Sequence, residues 1–120
     1  MPPRESALIS AARGLSEATA HLRAELLVFK RACDAMVKGS TPGQPASTTI
    51  EMMERLKVAE RRVRVTSAID EFEAARRLVR MELIAASQDQ GRNLSDVARV
   101  LGVSRQLTSK LGAEARERKG

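Results

Sequence analysis

An all-α protein is what the sequence predicts: a long antiparallel helical hairpin, coiled-coil-like, followed by two short helices meeting at a corner. Three observations predict it. Aromatic residues make up 2% of the 120, two Phe with no Trp or Tyr. Without aromatics, a core has to be built from Ala, Leu, Val, Met and Ile, the usual filling of helix bundles. Next, Leu8, Ala12, Leu15, Thr19, Leu22, Leu26, Phe29, Cys33 and Met36 alternate at spacings of four and three. A repeat of that period, held over four heptads, calls for packing along another long helix. Finally, proline and glycine are absent from Ala46 to Gln90, which permits a second long helix.

Taken in order, Met1 to Arg4 holds two prolines and is expected to fray. The first helix is expected over about 6–38, some 48 Å at 1.5 Å per residue. Gly14 lies off its seam and marks a place for a bend. The GSTPGQPASTT stretch, with a loop expected over 39–48, breaks the helix and is expected to be partly mobile. Thr48 or Thr49 is expected to cap a second helix over 49–90, with Glu51 and Glu54 in its first turns. Its apolar stripe runs Met52, Leu56, Ala59, Val63, then slips in phase to Val65, Ile69, Phe72, Val79, Leu83 and Ala86. The slip suggests a change of packing partner, or a break near Val65-Thr66. Residues 1–90 form the hairpin, and 91–120 a separate part that takes 72–90 as its first helix if it is a three-helix unit.

That last part carries the densest local signals. Asn93 is placed to cap a helix whose first turn holds Asp96. Val97, Ala98 and Leu101 share one stripe. Gly102 supplies the left-handed residue that ends the helix. Val103 fills the corner, Ser104 caps a second helix, and Leu107 and Leu111 hold it against the first. Gly112 ends that helix, or else it continues through Arg118.

The pattern of a small residue at Ala98 followed by Leu-Gly-Val-Ser-Arg-Gln resembles the helix-turn-helix of bacterial DNA-binding proteins. It is closest to the sigma-factor region-four-like and homeodomain-like type. The resemblance covers about 20 residues, or about 35 with the preceding helix. It implies that the helix from Arg105 lies in the major groove of duplex DNA. It further implies that Ser104 touches a phosphate and that Arg105, Gln106, Ser109 and Lys110 face the DNA. One departure is Thr108, where the family pattern carries Val or Ile. Its hydroxyl either bonds back to a carbonyl one turn earlier, or the helix rotates so that Leu107 takes the core position.

Charge agrees with an anionic partner. Lys and Arg number 21 against 15 Asp and Glu, for a net +6. Residues 92–119 hold seven bases against three acids, and such a balance suits phosphate neutralisation. Arg92 joins Ser104 and Lys110 as an expected phosphate contact, while Arg105 and Gln106 are expected at base edges. Arg76, Arg77 and Arg80 are candidates for flanking phosphates. Arg55, Lys57, Arg61, Arg62 and Arg64 read as a solvated hairpin flank whose stems cover apolar surface.

Nothing points to catalysis, a metal or a cofactor. His21 stands alone beside the seam, Cys33 reads as a small apolar residue, and no ligand cluster or phosphate loop is present. No run of 18 apolar residues exists to span a bilayer, and the N-terminus lacks a secretory core. A cytoplasmic, nucleoid-associated protein is therefore expected. The expectation is a sequence-specific DNA-binding protein, a transcription regulator that dimerises through its hairpin. The alternatives are an architectural DNA binder of low specificity, of nucleoid or phage type, and a coiled-coil adaptor that binds protein.

Overall fold

The structure is a computed structural model that describes the backbone of residues 3–39 and 46–119, and side-chain surroundings over 6–38 and 50–118. All described elements are helices: α1 (Pro3–Gly39), α2 (Ala46–Arg55), α3 (Val58–Asp89), α4 (Leu94–Leu101) and α5 (Arg105–Lys119). Of the loop expected over 39–48, Gly39 and residues 46–48 are helical, while 40–45, with the mobility expected there, lie outside the described residues. Thr48 and Thr49 sit inside α2 and do not cap it, because helix starts at Ala46, directly after Pro45.

The second long helix is interrupted. Lys57 takes a left-handed φ of 54°, alone among the described non-glycine residues. That conformation costs roughly 1–2 kcal/mol for a residue with a Cβ. Local bonds compensate: the Lys57 N–H donates to the Glu54 carbonyl at 3.1 Å, and the Arg61 N–H to the Lys57 carbonyl at 3.0 Å. Arg61 also folds its side chain back, Nε donating to the Leu56 carbonyl at 2.7 Å and Nη1 to the Val28 carbonyl of α1 at 3.5 Å. The interruption thus lies at Leu56-Lys57, and α3 runs unbroken through Val65-Thr66.

The inward face of α1 corrects half of the seam. Leu8, Leu15, Leu22, Phe29 and Met36 are half-buried, but the line beside them is Ala11, Ala18 and Ala32, each at most 5% exposed. Ala12, Thr19 and Leu26 are exposed and Cys33 half-buried. Both readings repeat every seven residues, so periodicity alone does not choose between them. Alanine at three of the four positions of the inward line, with half-buried Glu25 the fourth, allows two helix backbones to come close. On α3 the matching inward line is Val58, Arg61, Val65, Ala68, Phe72 and Ala75, with Ala59 and Val63 exposed. The phase slip in the sequence is therefore the break at Lys57, displaced by a few residues.

The chain divides into two compact units, Met1–Ser16 with Glu73–Gly120, and Glu17–Phe72. The sequence reading put its boundary near residue 90 with 72–90 as an optional member; the units divide at Ser16 on α1 and Phe72 on α3. In the Glu17–Phe72 unit α1 and α3 run antiparallel. His21 Nδ1 lies 2.9 Å from Glu71 Oε2, and further along α1 Val28 meets Arg61. Its buried apolar residues are small or flexible: Ala18, Ala32, Ala68 and Met52.

In the other unit, residues 73–89 of α3 pack with α4 and α5. Met81, Ile84, Ala85, Val97, Leu111 and Ala115 form its core, with Leu101 and Leu107 against them. Ala7, Ser10, Ala11 and Gly14 of α1 line a cavity with Ala75, Leu78, Glu82 and Arg118 of the same unit. Helix α5 passes straight through Gly112. A Cβ there would stand 3.2 Å from Ile84 Cγ2, so this glycine permits close approach to α3 and does not terminate the helix.

Candidate nucleic-acid interface

The stretch from Asn93 to Leu111 folds as two helices about a glycine corner. Asn93 is extended, and its side-chain oxygen accepts from the Asp96 N–H at 2.8 Å. That satisfies one of the orphan donors of the first turn. At the other end Gly102 adopts φ 71° and ψ 29°. Its N–H donates to the Arg99 carbonyl at 3.3 Å, and the Val103 N–H to the Ala98 carbonyl at 3.1 Å. This pair of bonds is the Schellman closure of a helix. Val97 and Ala98 are buried, which fixes the inward face of α4.

Ser104 starts α5. Its Oγ accepts from the Leu107 N–H at 3.0 Å, while its own hydroxyl proton is left to donate elsewhere. Thr108 is fully buried, and Oγ1 donates to the Ser104 carbonyl at 2.9 Å. The departure from the Val or Ile pattern is thus absorbed by a back-bond one turn earlier, and the helix keeps Thr108 inward with Leu107 half-buried beside it. Leu111 and Ala115 complete the buried side, at 1% and 0% exposure. Everything left on the first two turns faces solvent: Arg105, Gln106, Ser109 and Lys110. Arg92 is exposed in the link between α3 and α4, held by its backbone N–H to the Ser87 carbonyl at 3.0 Å. The six residues singled out in the sequence are therefore all solvent-facing. Five lie on one cap and the two turns that follow it, and Arg92 lies ahead of α4.

No protein-family model, curated protein or solved structure matches this chain. Its own electrostatics carry the rest of the description.

The cations from residue 73 onward fall into two groups. Arg77 makes a two-oxygen contact with Glu114, Nη2 to Oε1 at 2.6 Å. Arg116 Nη1 donates to Gln88 Oε1 at 3.2 Å, and Arg118 Nη1 lies 3.8 Å from Glu82 Oε1. These three contacts staple the C-terminal half of α5 to α3. Arg76 pairs with Glu73 at 2.7 Å, and Arg99 with Asp96 at 3.9 Å. Among the described residues, Arg80, Arg92, Arg105 and Lys110 have no such partner. Two of these four, Arg105 and Lys110, lie in the first two turns of α5, where the helix dipole adds to their charge.

Sequence reasoning missed the staples. Glu114, Gln88 and Glu82 lie 37, 28 and 36 positions from their partners, too far for any helix-spacing rule to pair them. His21, read as a flank residue, lies on the flank of α1 between Glu25 and Glu71. Among the described residues no helix is long and apolar enough to cross a membrane.

Proposed function

We propose that the chain is a sequence-specific DNA-binding protein of helix-turn-helix type, acting as a dimeric transcription regulator. One observation carries the proposal. Helix α5 buries Thr108, Leu111 and Ala115 and so holds Arg105, Gln106, Ser109 and Lys110 outward on a short rigid rod. An α-helix of that kind fits the major groove, where Arg reads guanine and Gln reads adenine through paired hydrogen bonds. Arg105 and Gln106 are assigned to base edges. Ser104, through its spare hydroxyl proton, Lys110 and Arg92 are assigned to phosphates, with Ser109 facing the groove beside them.

Dimerisation through the hairpin rests on a second observation. In an antiparallel pair of heptad helices, residues just before the first inward line face each other on one flank, and those just after the second on the other. His21 and Glu71 occupy the first flank. Leu26 and Cys33 of α1 and Ile69 of α3 occupy the second, with Leu26 45% and Ile69 42% exposed. Exposed Leu26 and Ile69, on a flank that also carries Thr19 and Arg62, suit a second hairpin. A two-fold dimer would then set two copies of α5 on half-sites about 34 Å apart, or a multiple of that.

Duplex titrations by fluorescence anisotropy at fixed salt test the role assignment. Arg105→Ala is expected to cost about 1–3 kcal/mol on a preferred site and to relax sequence preference. Lys110→Ala is expected to weaken all duplexes alike and to flatten the salt dependence. Equal losses on preferred and random DNA for both variants would favour a low-specificity architectural binder. Negligible duplex binding at 100 mM salt would favour the protein adaptor.

A further inference from the structure

A groove between α3 and α5 is lined by Glu73, Arg76, Arg77, Arg80, Leu107 and Leu111. Its three arginines are not equivalent. Glu73 neutralises Arg76 and Glu114 holds Arg77 with both oxygens. Arg80 is left half-buried with no hydrogen bond or ion pair among the described residues. Arg80 lines the groove beside Leu107 and Leu111, and a half-buried arginine covers apolar surface with its stem while its head stays in water. Leu107 neighbours Lys110 on the helix surface, three positions on. Arg80 therefore adds an uncompensated charge to the rim of the α5 face, from a different helix.

We propose that Arg80 is a DNA-backbone contact: its guanidinium binds a phosphodiester flanking the groove entered by α5. This rests on the duplex-binding reading above and extends it to a residue outside the glycine-corner motif. The chemistry fits, since a planar guanidinium matches two phosphate oxygens. It also explains why α5 is stapled to α3 by Arg77. The staple fixes the distance between Arg80 and the Arg105–Lys110 face, so that one rigid body carries phosphate contacts on two helices.

The test is the salt dependence of binding to a random-sequence duplex of about 20 base pairs, which reads phosphate contacts without needing the preferred site. Arg80→Met keeps the buried stem and removes the charge. It is expected to reduce the slope of log K against log salt by about 0.9, so that affinity falls roughly 3.5-fold less than wild type between 50 and 200 mM. Arg80→Lys is expected to restore the slope, and the melting temperature of Arg80→Met is expected to match wild type. An unchanged slope in Arg80→Met, with wild-type binding intact, overturns the assignment of Arg80 alone. Failure of the wild-type chain to bind the duplex overturns this inference together with the reading it rests on.

Discussion

The two packing units share the helices α1 and α3 and the same seven-residue repeat, yet they complete their interiors differently. Around α4 and α5 the core takes large residues, Ile84 and Leu111, buried to 0% and 1% exposure. Between Glu17 and Phe72 the buried apolar residues are three alanines and Met52, while Leu26, Leu27, Val63 and Ile69 face solvent. Alanine brings two helices together but removes little apolar surface from water, roughly 25 cal/mol for each Å². The α4–α5 core has thus closed over large side chains, whereas the Glu17–Phe72 unit leaves several of its own exposed. A repeat in the sequence reports that a helix is packed, and side-chain size reports how much of the packing is internal.

The largest expected effect sharpens that contrast. Leu111→Ala should lose about 2–5 kcal/mol in urea unfolding, as for other buried leucines. Leu26→Ala should change the stability of the dissociated chain by less than about 0.5 kcal/mol while shifting sedimentation equilibrium toward smaller species. A reversal of the two outcomes would break the comparison. Next in size, Gly102→Ala should cost about 1–2 kcal/mol from its left-handed backbone alone, because nothing stands within 4 Å of the added methyl. Arg61→Met should cost about 1 kcal/mol and speed amide exchange around Lys57, since it removes the bond to the Leu56 carbonyl. The smallest effect is expected for Thr108→Val, within about 0.5 kcal/mol by thermal melting. The Ser104 carbonyl keeps the Thr108 N–H at 3.0 Å, so no acceptor is orphaned.

Those magnitudes track what could be read in advance. The corner around Gly102 was legible because its signals are local: Asn93, Gly102 and Ser104 each act within four residues, and each does so in the structure. The helical class was legible for a similar reason, through composition and period. The choice between Ala11, Ala18 and Ala32 and the Ala12 to Cys33 line was not, because both satisfy the same spacing. The break at Lys57 left only a phase slip, since the left-handed residue there is a lysine and the bonds that support it come from Arg61 and Glu54. The exposure of Arg105, Gln106, Ser109 and Lys110 followed from helical geometry once Leu111 was known to face inward. The staples from Arg77, Arg116 and Arg118 depend on how α5 lies on α3, which no local pattern encodes.

Selection of bound duplexes from a random pool, run in parallel on the wild-type chain and on Arg105→Ala, is the most direct test of the proposal that the exposed face of α5 reads duplex DNA. The expected result is a recovered motif with two related half-sites, one or more helical turns apart, from the wild type, and loss of preference at one position of each half-site in the variant. Recovery of no motif by either protein, with duplex retention no better than for a neutral control protein, would contradict it.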